Sequence, residues 1–411
     1  MNARTDRSLG VAVIFGLITG LGHGFFYFGA SAFLKPWVGE FAISRTQAAA
    51  AISLGRLNAG WMTLVAGGLA DRLGSRYVAS MGCALAAAGL AFAALCETPG
   101  QLAFAWGGLA GIGMAMAFTV VLDKAMMDIY PPHMFGRAVG SRFAAVALGS
   151  FVSATLTGLI AHHFSWRVAC AVWALVIGGC LVAVLLLIAD RGAPGTQDQA
   201  QARGLTLRQA LRVSDFWLIT AVAAIQSGMQ IGVVVHLAAM LTDAQLPAVH
   251  VAGLVGVMVL LSLPGRLAAG WVSDHLSPRH LARLVVVAMV VQALSLVWHG
   301  LFPSVASGYL FPLIYGLACG FPMPVLMLME THRFGTRHFG AIQGSTLLVM
   351  SGVGVLVPLV LGRFFDLTGH YTWGLCLSAV VLLVAALLAH RLGDMPHQLH
   401  PLGGEPAGTP S

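Results

Sequence analysis

Four ionisable residues stand where the chain gives least reason for them. Arg56, Asp123, Lys124 and Arg266 each fall inside a long apolar run. A charge at the centre of a bilayer costs on the order of 3 kcal/mol, so such a residue faces a partner or a wet cavity. Arginine brings a permanent charge on a flat fork that matches a carboxylate. Arg266 precedes Asp274 by eight residues, which places it about 12 Å in from that turn on a helix. Arg56 precedes Asp71 by fifteen, about 22 Å at the same rise. Two guanidinium groups at different depths would grip both ends of a dianion or pass one anion along. Each also has a purely structural reading: Arg266 paired with Asp123 or Glu330, Arg56 bonded to a neighbouring helix. Asp123 and Lys124 point about 100° apart and so do not satisfy each other. Asp123 is either a proton carrier or half of a fixed ion pair with Arg142, and Lys124 is a third cation.

These residues need a hydrophobic frame, and the composition supplies one. Of 411 residues 58% are apolar and 9% charged, with mean hydropathy +0.85. A soluble domain carries about 25% charged residues. A soluble fold, a disordered chain, collagen and a disulfide scaffold are all excluded. Net charge +7 reads as basic loops beside a membrane, not as a nucleic-acid footprint. The six cysteines sit in apolar stretches without paired spacing. No HxxxH or HExxH pattern appears, so neither metal nor other cofactor is expected. The first apolar run, about 26 residues, is too long for a signal-peptide core.

About 20 apolar residues cross a bilayer as a helix. The sequence predicts twelve such spans, at roughly 8–33, 47–66, 77–96, 101–123, 138–160, 168–189, 216–241, 250–270, 281–300, 307–328, 341–362 and 373–391. The polar stretch between Asp190 and Asp215 divides six spans from six. The expected organisation is therefore a bundle over 1–189, a linker over 190–214, a second bundle over 215–392 and a tail over 393–411. With both termini cytoplasmic, fifteen of the 22 Lys and Arg fall on that side. The opposite side keeps Lys35, Arg45, Arg167 and Arg363, an imbalance that fixes the expected orientation.

A turn recurs in the two halves. After span 2 it contains Gly67, Leu69, Ala70, Asp71, Arg72, Gly74 and Arg76; after span 8 it contains Gly270, Asp274 and Arg279, each 203 residues further on than Gly67, Asp71 and Arg76. Charges at a helix end can lock adjacent helices through paired bonds that open when a bundle rocks. Parallel six-helix repeats describe a transporter architecture.

With these motifs the sequence resembles the major facilitator superfamily, whose signature G-x-L-A-D-R-x-G-x-R is complete in the first copy. It is further similar to the bacterial branch of the monocarboxylate transporter and oxalate:formate antiporter group. The supporting stretches are Tyr27-Phe28-Gly29, Glu40-Phe41 with Ser44-Arg45-Thr46, Thr206 to Leu211, Asp215-Phe216-Trp217, His236-Leu237, Arg337 to Ile342 and Phe365 to Gly369.

The resemblance implies an all-α membrane fold of twelve helices in two pseudo-symmetric bundles. It implies that Arg266 binds a substrate carboxylate, and that Asp128 and Glu330 brace the gating turns. It also implies that spans 1, 4, 7 and 10 line the cavity. His23 and Tyr27, Lys124, Gln226 and Gln230, and Tyr315 are then the candidate lining set, each equally open to a structural bond. His236 reads as a cap or gate residue. Two positions depart from the group: Ser262 stands where its animal members carry an aspartate used in proton coupling, and Ser31 where they carry a cavity lysine. The expected activity is secondary transport of a small organic anion, coupled to protons or to exchange, by a monomer in the cytoplasmic membrane. A drug or metabolite exporter with internally paired charges is the alternative within transporters, and a transport-dead sensor the alternative outside them. No nucleophile–base set, P-loop or dinucleotide fingerprint points to an enzyme.

Overall fold

The computed structural model describes residues 3–118, 121–122, 132–187, 205–273, 275–335 and 339–393. Asp123, Lys124, Asp128 and Asp274 lie outside the described residues, as do the side chains of Asp71 and Arg72. In hydrocarbon each backbone polar group must be satisfied within the chain, and helices do this from local sequence alone. Among the described residues the chain forms helices and no strand.

Twelve of these elements have membrane-crossing length. They are α1 (Gly10–Phe41), α2 (Arg45–Leu73), α3 (Ser75–Leu95), α4 (Pro99–Phe118), α5 (Pro132–His163) and α6 (Trp166–Leu187). Then follow α7 (Ser214–Asp243), α8 (Ala248–Ser273), α9 (Pro278–Leu301), α10 (Val305–Phe334), α11 (Phe339–Thr368) and α12 (Thr372–Leu392). Eleven are also apolar enough to cross by composition. The exception, α2, carries Gln47, Arg56, Asn58, Asp71 and Arg72 along its 29 residues.

Local chemistry sets the ends. Ser44 with Gln47, Thr98 with Gln101 and Ser304 with Ser307 form capping boxes that start α2, α4 and α10. Gly74, at φ +88°, makes the one-residue turn from α2 to α3, a conformation only glycine adopts without strain. The sequence places a break at Lys35-Pro36, but α1 runs through it to Phe41. Pro36 falls in the first turn of the segment Leu34–Phe41, where its missing N–H is not needed. Before that segment α1 widens into a π-helical turn at Gly24–Phe28 and tightens into a 3-10 turn at Gly29–Phe33. A second π-helical stretch, Ala103–Ala110, interrupts α4.

Two apolar cores result. One draws chiefly on residues 12–184 and the other on 205–392. Small residues let the helices approach closely. A Cβ on Gly20 of α1 would lie 2.5 Å from the Val146 carbonyl of α5. The two cores meet where α2 lies on α11 and α5 lies on α8. At these seams Gly60 faces Ser351, Gly362 faces Thr46, and Gly256 faces Phe151 and Thr155.

Candidate functional site

The polar residues of α2 first serve the irregular segments beside them. Changes of helical register leave carbonyls without a regular partner, and inside a membrane another group must supply one. Asn58 Nδ2 donates to the Gly107 carbonyl at 2.8 Å, within the π-helical stretch of α4. Arg56 Nη2 donates to the Tyr27 carbonyl in the π-helical turn of α1. Arg56 is buried, its Cζ lies 5.3 Å from the Tyr27 ring centroid, and its Nε has no hydrogen-bond partner among the described residues. Among the described residues, a backbone carbonyl and a ring face of α1 are what meet its charge.

Arg266 is different. It is exposed, on α8, and forms no ion pair or hydrogen bond with a described residue. It acts electrostatically on His23 of α1 and on Cys319 of α10. His23 belongs to the first half of the chain and Cys319 to the second, so the field of the guanidinium reaches both halves. The close α5–α8 contacts reach Gly256. Arg266 lies ten residues further along α8, about 15 Å beyond that contact.

His23 and Tyr27 share one face of α1, their rings edge to face at 4.8 Å. His23 Nε2 is buried with no hydrogen-bond partner among the described residues. Arg142 of α5 also acts on His23 and donates through Nη2 to Thr19 Oγ1 at 3.3 Å and to the Phe118 carbonyl at 3.4 Å. His23 and Tyr27 thus lie side by side on α1, with Arg56 against Tyr27 and the fields of Arg142 and Arg266 both reaching His23. The region is rich in positive charge and in donors, which is what binding an anion needs.

The other expected residues make contacts of their own. Gln226 is fully buried and paired with Gln292 of α9 at 2.9 Å, an amide pair inside the second core. Tyr315 is fully buried beside Phe311, its hydroxyl without a partner among the described residues. Gln230 Nε2 points at Cys319 Sγ, 3.8 Å away on α10. Glu330 is buried and accepts from Thr346 of α11 at 2.7 Å; that hydroxyl also meets Thr220 of α7 at 3.1 Å. Ser262 turns back on the Val259 carbonyl at 2.7 Å. Of the turn residues, Gly67 and Gly270 lie within α2 and α8, Arg76 lies in the first turn of α3, and Arg279 starts α9.

One cluster is not anticipated from the sequence. It lies on the distal face, which carries the α1–α2, α7–α8 and α11–α12 turns. Arg45, at the start of α2, donates through Nη1 to Asp243 at 2.7 Å and to the Tyr371 hydroxyl at 2.7 Å. Its Cζ lies 3.4 Å from the Phe365 ring centroid. The backbone N–H groups of Arg45 and Thr46 and the Thr46 hydroxyl all donate to Asp366. Lys35 joins Asp243 at 2.6 Å. Burial pushes the pKa of the Tyr371 hydroxyl up, against the opposing pull of Arg45, so the hydroxyl keeps its hydrogen. The cluster joins α1 and α2 to α7 and α11 at the distal end. Its one sequence signal was that Ser44-Arg45-Thr46 and Phe365-Asp366 both belong to the stretches shared with the transporter group.

The description Major Facilitator Superfamily matches residues 16–358. The chain belongs to this superfamily. Bovine (Bos taurus) "Monocarboxylate transporter 13" is 28% identical over 388 residues, covering 91% of this chain and 85% of that protein. The "Uncharacterized MFS-type transporter YcxA" of Bacillus subtilis is 22% identical over 94% of this chain and 97% of its own length. Among solved structures, an inward-facing, unoccupied bacterial homologue of the human lysosomal transporter Spinster superposes with TM-score 0.78 at 14% identity, covering 96% of this chain and 98% of that one. A D-xylose-proton symporter superposes with TM-score 0.72 at 15% identity, covering 93% and 96%. The protein is thus a multi-pass membrane transporter of the major facilitator fold.

Proposed function

We propose that this transporter moves a small organic anion, a mono- or dicarboxylate, by alternating access, with Arg266 as the anchor for a substrate carboxylate. The supporting observation is that Arg266 is exposed on α8, acts on His23 and Cys319, and has no carboxylate partner among the described residues. An unpaired guanidinium fork in a cavity of low dielectric is strongly attractive to a carboxylate. His23 and Tyr27 face the same space and would orient the rest of the ligand. Arg56 holds the irregular part of α1 and adds positive potential behind Tyr27. Lys124 would add another cation and Asp123 a proton carrier or ion-pair partner, both on the sequence argument alone. The relatives named monocarboxylate transporters support the same substrate class.

The loop charges support an orientation in the cytoplasmic membrane with both termini on the cytoplasmic side. The distal cluster is then the closed outer gate, and the space around Arg266 opens inward. Reopening outward requires the Arg45 contacts to part while the turns bearing Asp71 and Asp274 close, the transporter working as a monomer. Uptake of radiolabelled mono- and dicarboxylates into proteoliposomes, with and without a pH gradient or internal counter-anion, tests this. Saturable uptake of at least one carboxylate is expected. Saturable uptake of neutral or cationic solutes alone would favour export of other metabolites.

A further inference from the structure

His236 is not among the residues grouped with Arg266, yet it is fully buried in α7 and bonded to two other segments. Its Nε2 lies 2.9 Å from the Pro358 carbonyl of α11. A carbonyl only accepts, so Nε2 carries a hydrogen. Its Nδ1 lies 2.9 Å from the Tyr371 hydroxyl. That oxygen already accepts from Arg45 Nη1 at 2.7 Å, and a guanidinium has no lone pair to offer in return. The arrangement in which every hydrogen finds an acceptor sends the tyrosine hydrogen to His236 Nδ1. The network assigns a neutral imidazole with one free duty, that of acceptor, aimed at the hydroxyl that holds Arg45.

The charged and titratable groups around this histidine come from α1, α2, α7, α11 and the α11–α12 turn. Arg45 of α2 and Asp366 of α11 act on it directly. Tyr371 comes from the α11–α12 turn. Asp243 lies two turns further along α7 and binds both Arg45 and, through Lys35, α1.

We propose that His236 is a proton-binding site in the distal gate, and that loading its Nδ1 releases the gate. This rests on the alternating-access reading above. A proton from water at the distal face adds to the Nδ1 lone pair; nothing is oxidised or reduced, and no other covalent bond changes. The acceptor becomes a donor, pointed at an oxygen that already receives Arg45. The Tyr371 hydrogen loses its acceptor, and imidazolium and guanidinium come to share one hydroxyl between two positive charges. Arg45 is the group free to leave, and its contacts are what join α2 to α7 and the α11–α12 turn. Once it swings out, Asp243 and Asp366 compensate the new charge, so the open form retains the proton. Losing the proton restores the acceptor and the closed gate. Proton entry is thereby tied to the conformational step through a residue other than Ser262 and Ser31.

The gate can be read without substrate. Spin labels on Phe164→Cys and Phe302→Cys, exposed at distal turns of the first and second core, report its width in lipid nanodiscs across a pH series. Acidification is expected to widen the distance distribution in the otherwise unaltered protein. His236→Gln, which keeps an acceptor and a donor but does not titrate, is expected to abolish that response. Tyr371→Phe, which cuts the link to Arg45 while keeping the ring, is expected to abolish it as well. Asp123→Asn is expected to leave it intact. A response unchanged in H236Q and Y371F, a response lost only in D123N, or no response in the unaltered protein would overturn the proposal. The readout needs no carboxylate, so failure of the substrate assignment leaves it standing and its own failure leaves Arg266 untouched.

Discussion

Arg45→Ala should unlatch the distal face, and its size can be worked from the contacts. The substitution removes the Asp243 ion pair at 2.7 Å, the bond to Tyr371 at 2.7 Å and the stacking on Phe365 at 3.4 Å. Asp243 keeps 35% of its side-chain surface exposed, so screening limits the ion pair to about 0.5 kcal/mol. The half-buried bond to the tyrosine contributes about 1 kcal/mol, and the cation over the ring about 1 kcal/mol. The sum, about 2.5 kcal/mol, corresponds to a shift of roughly 60-fold in the closed-to-open ratio. The backbone N–H bonds to Asp366 survive in this variant, so the gate is loosened and not destroyed. The distal distance distribution of the Phe164–Phe302 label pair measures that ratio directly. A double-mutant cycle with Asp243→Asn isolates the ion pair from the rest. A shift below about threefold, or about 0.7 kcal/mol, would mean that the cluster decorates the surface and that closure is held by the α2–α11 and α5–α8 seams alone.

Two further outcomes test the packing. Gly20→Ala places a methyl 2.5 Å from the Val146 carbonyl, and overpacking against backbone should cost about 1–3 kcal/mol, seen as a lower detergent unfolding temperature. Gly39→Ala, with nothing within 4 Å of the new methyl, is the control and should show no loss. Gln226→Leu should destabilise by about 1–3 kcal/mol, because it leaves the buried Gln292 amide short of a partner. Adding Gln292→Leu should recover most of that loss, and neither variant should change the KM for substrate.

The sequence makes the frame legible for reasons specific to membranes. Lipid leaves the backbone one local solution, so apolar runs such as Trp166–Leu187 announce themselves. The turn at Gly74 is visible because one residue type fits it. Even α2, the most polar of the twelve, shows as an apolar run over 47–66, and its signature turn marks where it ends. Helical ends are less visible: Pro36 reads as a break but is absorbed into a first turn. The register changes at Gly24–Phe33 arise from packing against neighbouring helices, and no local pattern announces them. In the site, periodicity shows that His23 shares a face with Tyr27, and Gln226 with Gln230. It does not say which helix that face meets. The Gln226–Gln292 pair and the burial of Tyr315 therefore emerge only in three dimensions. The distal cluster is harder still, since Arg45 meets Asp243 across 198 residues and Asp366 across 321. Counted as loop charges, Lys35 and Arg45 inform only about orientation; paired, they hold the two halves together.

The central claim is that Arg266 receives the substrate's carboxylate, and the most direct measurement is carboxylate transport by Arg266→Lys and Arg266→Ala beside the unaltered protein in proteoliposomes. Lysine keeps the charge but loses the planar fork, so Arg266→Lys should raise KM by roughly 10-fold, about 1.4 kcal/mol for the second directed bond. Arg266→Ala should abolish saturable uptake while the distal gate still responds in the spin-label assay. Carboxylate uptake with unchanged KM in Arg266→Ala would contradict the account.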